Sequence, residues 1–237
     1  MGRAFQNRKD SMAKTSDANA KLYSKFSREI YVVAKAGSAD PDANLTLRSL
    51  IDRAKKAQVP AHVIDKAIEK AKGGAGEDFA VARYEGYGPG NVMVIIDCLT
   101  DNANRTFGDV RSCFTKTKTK IGTSGSVAHM FDHNAIFVFD GDEEIALEAL
   151  MEADVDVQDI EEDSGKLTVF APHNEYNKAK VALMGAFEGV DFDVDEIQFI
   201  PQNIMEVPAE ALPMFEKFLE LLNEFDDVQN IYHNGEM

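Results

Sequence analysis

Between Arg83 and Phe131 the chain reads RYEGYGPGNVMVIIDCLTDNANRTFGDVRSCFTKTKTKIGTSGSVAHMF, and no other stretch limits the fold as tightly. Residues 91–99 are an apolar run rich in β-branched side chains, long enough for one buried strand, and Gly88, Pro89 and Gly90 ahead of it supply turn chemistry. The pattern predicts a hairpin, 83–87 against 91–98. Thr100 and Asp101 offer helix N-caps, after which Ala103, Phe107, Val110 and Phe114 recur on one helical face, so a helix is expected over about 102–116. Lys116, Lys118 and Lys120, with threonines between them, form a basic tip leading into Gly122, Thr123, Ser124, Gly125 and Ser126 and then a further strand ending at Phe131. Strand, strand, helix, strand is half of an α+β sandwich.

The flanks read as separate modules. Residues 1–15 carry Arg3, Arg8, Lys9 and Lys14 with little apolar periodicity and are expected to be an irregular basic arm. Ser16 or Asp17 caps a helix to about Lys35, with Leu22, Phe26, Ile30 and Val33 on one face and Lys21, Lys25, Arg28 and Lys35 as a basic stripe on another. A second helix, marked by Leu47, Leu50, Ile51 and Ala54, and a third opened by Pro60 complete a small three-helix domain, with glycines at 73–76 as its linker. Downstream, strands at 135–140, 155–160, 166–171 and 192–200 and helices at 143–153 and 173–187 give the βαββαβ order of a ferredoxin-like domain. The remaining strand, helix and strand cannot make a domain alone and are expected to return to the central sandwich. The expected fold is therefore α+β in three domains: 1–76, the basic arm and three-helix domain; 82–133 plus 201–237, a discontinuous central sandwich; and 134–200, an acidic ferredoxin-like insertion.

Composition enters through charge. The net charge of −16 looks hostile to nucleic acid, yet residues 1–76 hold 15 Lys/Arg against 8 Asp/Glu and the rest hold 10 against 33. Over several Debye lengths of about 8 Å the two ends act as separate electrostatic objects. No run is long and apolar enough for a membrane span, the start lacks an apolar signal region, and two cysteines without a Cys-x-x-Cys pair fit a reduced compartment, so a cytoplasmic protein with no membrane partner is expected. Ser124 with His129 or His133 lacks the Gly-x-Ser-x-Gly elbow, and no Gly-Lys-Ser/Thr follows the GTSGS loop to make a P-loop. That loop reads as a tight turn needing small residues, with a backbone phosphate cradle as the functional alternative. His129 and His133 have no third ligand at usable spacing, and the acidic clusters at 159–163 and 191–196 lack the calcium-loop pattern, so no metal and no cofactor are expected. Nothing in the pattern sets an oligomeric state.

EGYGPG at 85–90, CLTDNANRT at 98–106 and GTSGSV at 122–127 resemble, in order and spacing, the three signature segments of the YebC/PmpR family, and the opening MGRAFQNRKDSMAKT resembles its YeeN branch. The resemblance extends over nearly the whole chain. It implies a cytoplasmic three-domain protein of the DNA-binding transcriptional-regulator type, with relatives that act at the ribosome. The chain departs from the family pattern at Lys118 and Thr119, where many members have a glycine pair, and at Asn91, the usual last glycine of the turn.

The basic residues carry the functional expectation: Arg3, Arg8, Lys9, Lys14, Lys21, Lys25, Arg28, Lys35, Arg105, Lys116, Lys118 and Lys120 as a nucleic-acid surface, with the GTSGS loop touching phosphate. Lysines singly are most simply solubilising charge. Five phosphate contacts would give a log K against log salt slope near about −4.5. The partner is DNA or ribosomal RNA, read by phosphate and shape, in a non-enzymatic regulator; the alternatives are a ribosome-associated translation factor and an adaptor whose acidic domain recruits a basic protein.

Overall fold

The structure is a computed structural model that describes the backbone of residues 3–73, 78–163 and 165–237 and the side chains from residue 19 onward. In chain order its elements are α1 (Arg3–Ala36), α2 (Leu45–Lys56), α3 (Ala61–Lys72), β1 (Ala80–Tyr87), β2 (Met93–Thr100), α4 (Ala103–Lys116), β3 (Lys120–Ile121), β4 (Phe131–Asp140), α5 (Glu143–Glu152), β5 (Asp159–Asp163), β6 (Lys166–Pro172), α6 (Tyr176–Ala186), β7 (Val194–Pro201), β8 (Met205–Glu206), α7 (Leu212–Asn223), β9 (Val228–His233) and β10 (Gly235–Glu236). They fall into two compact units, one of Met1–Ala82, Asp97–Cys113 and Leu219–Asn230, the other of Arg83–Ile96, Phe114–Phe218 and Ile231–Met237.

In the first unit α1, α2 and α3 close on Ile30, Ala34, Leu47, Leu50, Ile51, Ala54, Ile64 and Ala67; of the α1 face expected from the sequence Ile30 is in this core, while Phe26 and Val33 pack partly buried against it. Asn44 caps α2 by accepting the Leu47 N–H at 3.1 Å, and Pro60 caps α3 in extended conformation. The irregular arm expected over 1–15 is not what forms: α1 begins at Arg3 and runs unbroken to Ala36. The stretch contains no glycine or proline and is rich in Ala, Lys and Arg, so a helix anchored at its packed end propagates backwards past Ser16 and Asp17, which become interior positions instead of caps.

A four-stranded sheet in the order β3-β1-β2-β9 carries the central elements, and β8 and β10 add a short parallel pair, Gly235 opposite Met205. The last long strand thus lies beside β2. The strand expected to end at Phe131 is displaced. The pairing segment is Lys120–Ile121, before the glycine loop, opposite Tyr87 and Gly86, while 128–130 form a 3-10 turn and β4 starts at Phe131.

In the second unit β4, α5, β5, β6, α6 and β7 make the ferredoxin-like βαββαβ, with antiparallel sheet order β5-β6-β4-β7. Alternation places Ala135, Phe137, Phe139, Leu167, Val169 and Ala171 on the face that packs against Ala146 and Leu150 of α5 and Ala179 and Leu183 of α6. β5 occupies 159–163, not 155–160, because its register follows β6: Asp163 lies opposite Lys166 and Asp159 opposite Phe170, while Val155 and Val157 pack on the core outside the ladder.

This core contains one charged pair. Lys180 and Asp195 are 6% and 9% exposed and ion-paired, and the Tyr176 hydroxyl donates to the other Asp195 oxygen at 2.5 Å. Removing one partner of such a pair leaves the other charge buried. Lys180→Met is expected to lower the unfolding free energy by about 3–5 kcal/mol, and adding Asp195→Leu to recover most of it, as read from urea denaturation.

Candidate nucleic-acid interface

The predicted basic residues do not form one continuous track of free cations. Arg3, Arg8, Lys9 and Lys14 lie on α1, with side chains outside the described residues. Lys21 is half-buried and has no ion pair among the described residues. Lys25 is half-buried and donates to the Gln229 carbonyl at 3.3 Å; burial pulls its pKa below the ordinary lysine value. Arg28 binds Asp227 at 2.6 Å and Asp226 at 3.8 Å, and Lys35 binds Asp78 at 2.6 Å. Arg105 bridges Asp101 at 2.6 Å and Asp227 at 2.8 Å. The expected stripe is thus corrected: Arg28, Lys35 and Arg105 already face carboxylates, two of which, Asp226 and Asp227, come from the segment between α7 and β9.

Asp227 is the centre of that arrangement. Its side chain is 9% exposed, and besides the two guanidinium groups it accepts from the hydroxyls of Thr106 at 2.7 Å and Thr100 at 3.1 Å. Burial alone would raise its pKa, but hydrogen bonds from Arg105, Thr106, Arg28 and Thr100 outweigh it and bring the carboxyl to about 2. Thr100, Arg105 and Thr106 all belong to the CLTDNANRT segment, so that segment is shaped to hold a carboxylate delivered from far along the chain. A cleft of about 590 Å³ opens beside it, lined by Ser27, Arg28, Tyr31, Lys70, Phe79, Arg105, Asp109 and Asp227. Sequence reading missed Asp226 and Asp227; their only local signal was an acidic pair, FDDV, between a helix and a strand.

In the second unit the basic tip is as open as expected. Lys116, Lys118 and Lys120 are exposed, and among the described residues none is in an ion pair. Thr119 N–H closes the end of α4 on the Phe114 carbonyl at 2.8 Å, and Lys118 sits in the turn at φ 59°. The neighbouring loop is different from its reading as a phosphate cradle. Glu85 is 4% exposed, and its carboxylate accepts the backbone N–H groups of Gly125 at 2.8 Å and of Val127 and Ala128 at 2.9 Å. Burial opposes the charged form of Glu85, yet those three bonds and nearby Arg83 hold its pKa below the usual carboxylate range. Gly125, with Val127 and Ala128 just beyond the loop, therefore gives its N–H to an internal carboxylate, and the N–H groups of Gly122 and Ser126 go to the Glu85 and Thr123 carbonyls, so these donors are not open to phosphate. A Cβ on Gly86 would lie 2.9 Å from the Phe114 ring, which explains the glycine after Glu85.

Among the described residues no group of three His, Cys, Asp or Glu side chains could hold a metal. Cys98 and Cys113 are buried free thiols, and burial pushes Cys98 up to about 12. No described helix is long and apolar enough to cross a membrane.

Residues 3–74 match the family model described as the TACO1/YebC protein N-terminal domain, and residues 79–235 match the one described as the TACO1/YebC second and third domain. The chain belongs to the YebC/PmpR family. Among YebC/PmpR proteins it is 71% identical to a probable transcriptional regulatory protein of Marinobacter nauticus, covering 100% of this chain and 99% of that one, and 70% identical to one of Hydrogenovibrio crunogenus over the full length of both. The crystal structure of a conserved hypothetical protein from Aquifex aeolicus is similar over 92% of this chain and 90% of that one, with TM-score 0.73 and 34% identity. Asn91 at φ 62° and Lys118 at φ 59°, two of the positions where the sequence departs from the pattern it resembles, both occupy left-handed backbone, the region glycine adopts most readily.

Two substitutions test the carboxylate centres. Asp227→Asn is expected to lower stability by about 2–3 kcal/mol near neutral pH, because two guanidinium groups lose their counter-charge. As the folded carboxyl titrates at about 2 against an ordinary 3.8, the wild-type advantage is complete above roughly pH 4 and fades as pH falls toward 2, as urea melts of both proteins across that range would record. Glu85→Gln, which turns an amide donor toward backbone donors, is expected to cost about 2 kcal/mol and to speed hydrogen exchange at Gly125, Val127 and Ala128.

Proposed function

We propose that this chain is a non-enzymatic regulatory protein that binds nucleic acid through phosphate and shape, with Lys116, Lys118 and Lys120 as its principal contact and DNA in transcriptional control as its target. One observation carries the reading. Lys118 is held in left-handed backbone, which disfavours a side chain by about 1–2 kcal/mol relative to glycine, and with Lys116 and Lys120 it makes a run of three exposed lysines that have no ion pair among the described residues. A lysine where glycine would fit better, flanked by two more in an otherwise acidic chain, is well placed to contact phosphate. The names of the relatives support the transcriptional side. The carboxylate-bound Arg28, Lys35 and Arg105 are left out of the contact.

Lys118→Gly separates the two effects. It is expected to raise thermal stability by about 1 kcal/mol and at the same time reduce the salt slope of duplex-DNA binding by about 0.9, while the triple alanine variant of 116, 118 and 120 reduces it by about 2.7. Unchanged affinity and slope in the triple variant would remove the tip from the proposal. Because ribosomal RNA presents the same phosphates, sedimentation of lysate in low and moderate salt runs alongside. Ribosome co-migration that depends on these lysines, with duplex binding that does not, would move the function to translation.

A further inference from the structure

A different surface carries a second binding role. Of the eleven large apolar side chains that stand exposed among the described residues, five lie on the two helices of the ferredoxin-like domain: Ile145, Leu147 and Met151 on α5 and Val181 and Met184 on α6. Met151 is 67% and Val181 60% exposed. The inward positions of both helices, Ala146, Leu150, Ala179 and Leu183, already fill the core, so these five are apolar in addition to what folding uses. α5 and α6 pack against one another.

Charge says what kind of molecule fits them. Glu143, Glu144, Glu148 and Glu152 are exposed on α5, which has no basic residue. Residues 134–200 hold three lysines and no arginine. Each of the three is already bound: Lys166 to Asp140 and Asp193, Lys178 to Glu175 and Asp154, Lys180 to Asp195. The four α5 glutamates have no ion pair among the described residues. Nucleic acid and anionic lipid are repelled by this face, since membrane-seated helices set Lys and Arg beside their apolar stripe. A second copy would bring glutamates against glutamates. We propose that the α5–α6 face docks a basic amphipathic segment of another protein, whose apolar side chains cover Leu147, Met151, Val181 and Met184 while its lysines or arginines meet the α5 glutamates. Two flexible methionines with aliphatic neighbours and an acidic border suit a helix whose sequence is loosely specified.

The test uses the full chain with methyl-labelled methionines and a synthetic amphipathic helix of leucine and lysine, beside its leucine and glutamate counterpart and a DNA duplex. The leucine–lysine helix is expected to move the Met151 and Met184 methyl signals among the nine methionines and to bind at least about tenfold more tightly than the glutamate helix. Met151→Glu with Val181→Glu, both at exposed positions and checked for native circular dichroism, should weaken it about tenfold or more, and Glu144→Lys with Glu148→Lys should do so through charge alone. The proposal is overturned if the methyl shifts fall elsewhere, if the glutamate helix binds equally, if both double variants bind as the parent does, or if dilution of the protein alone shifts those methyls through self-association. The Lys116, Lys118 and Lys120 variants should leave this binding unchanged, so failure here and failure of nucleic-acid binding are read separately.

Discussion

Asp227 holds its unit together from a position no local pattern marks. Two arginines, one on the long N-terminal helix and one on α4, and two threonines from β2 and α4 converge on one carboxylate with little solvent access. Desolvating a carboxylate is unfavourable by several kcal/mol unless its lone pairs are filled, and here four donors fill them. The same convergence disposes of Arg28 and Arg105 as free phosphate ligands. Residues that look cationic in sequence are neutralised in space, and the electropositive surface shrinks to groups that have no such partner.

Local patterns were easy to read and distant ones were not. The helical faces closing on Ile30, Leu47 and Ile64, the βαββαβ order and the hairpin before α4 follow from period and turn chemistry, and each is found in the structure. Besides the shifted bounds of β3 and β5, three features escaped. The length of α1 escaped because a polar helix without breakers shows no apolar period. The filling of the GTSGS loop escaped because Glu85 lies 40 positions before Gly125, and a carboxylate accepting backbone N–H groups leaves no pattern in either segment. Asp227, 127 positions beyond Thr100, escaped for the same reason. Spacing reports what neighbours along the chain do together, whereas ion pairs and nests join residues whose separation carries no period.

The two carboxylate centres and the lysine tip differ in what surrounds them. Glu85 and Asp227 are buried, fully partnered and serve to fix the backbone around the signature segments. Lys118 is exposed and unpartnered among the described residues, in a backbone region that works against it. The first pair makes the signatures rigid, and the lysine gives that rigid frame a charge to present. The acidic ferredoxin-like domain has three lysines, all engaged internally.

Strand β9 carries a further implication, for synthesis on the ribosome. It pairs beside β2, and the Asp227 carbonyl just ahead of it accepts the Leu99 N–H at 2.8 Å, so the central sheet waits for residues made more than a hundred codons later. The β4 to β7 module is contiguous and can close as soon as it emerges. A nascent chain therefore holds a finished ferredoxin-like domain while Arg28, Thr100, Arg105 and Thr106 still lack their shared acceptor. Any product cut short before the last strand is left with an open sheet edge and unquenched arginines, a form that quality-control proteases can distinguish from the complete molecule.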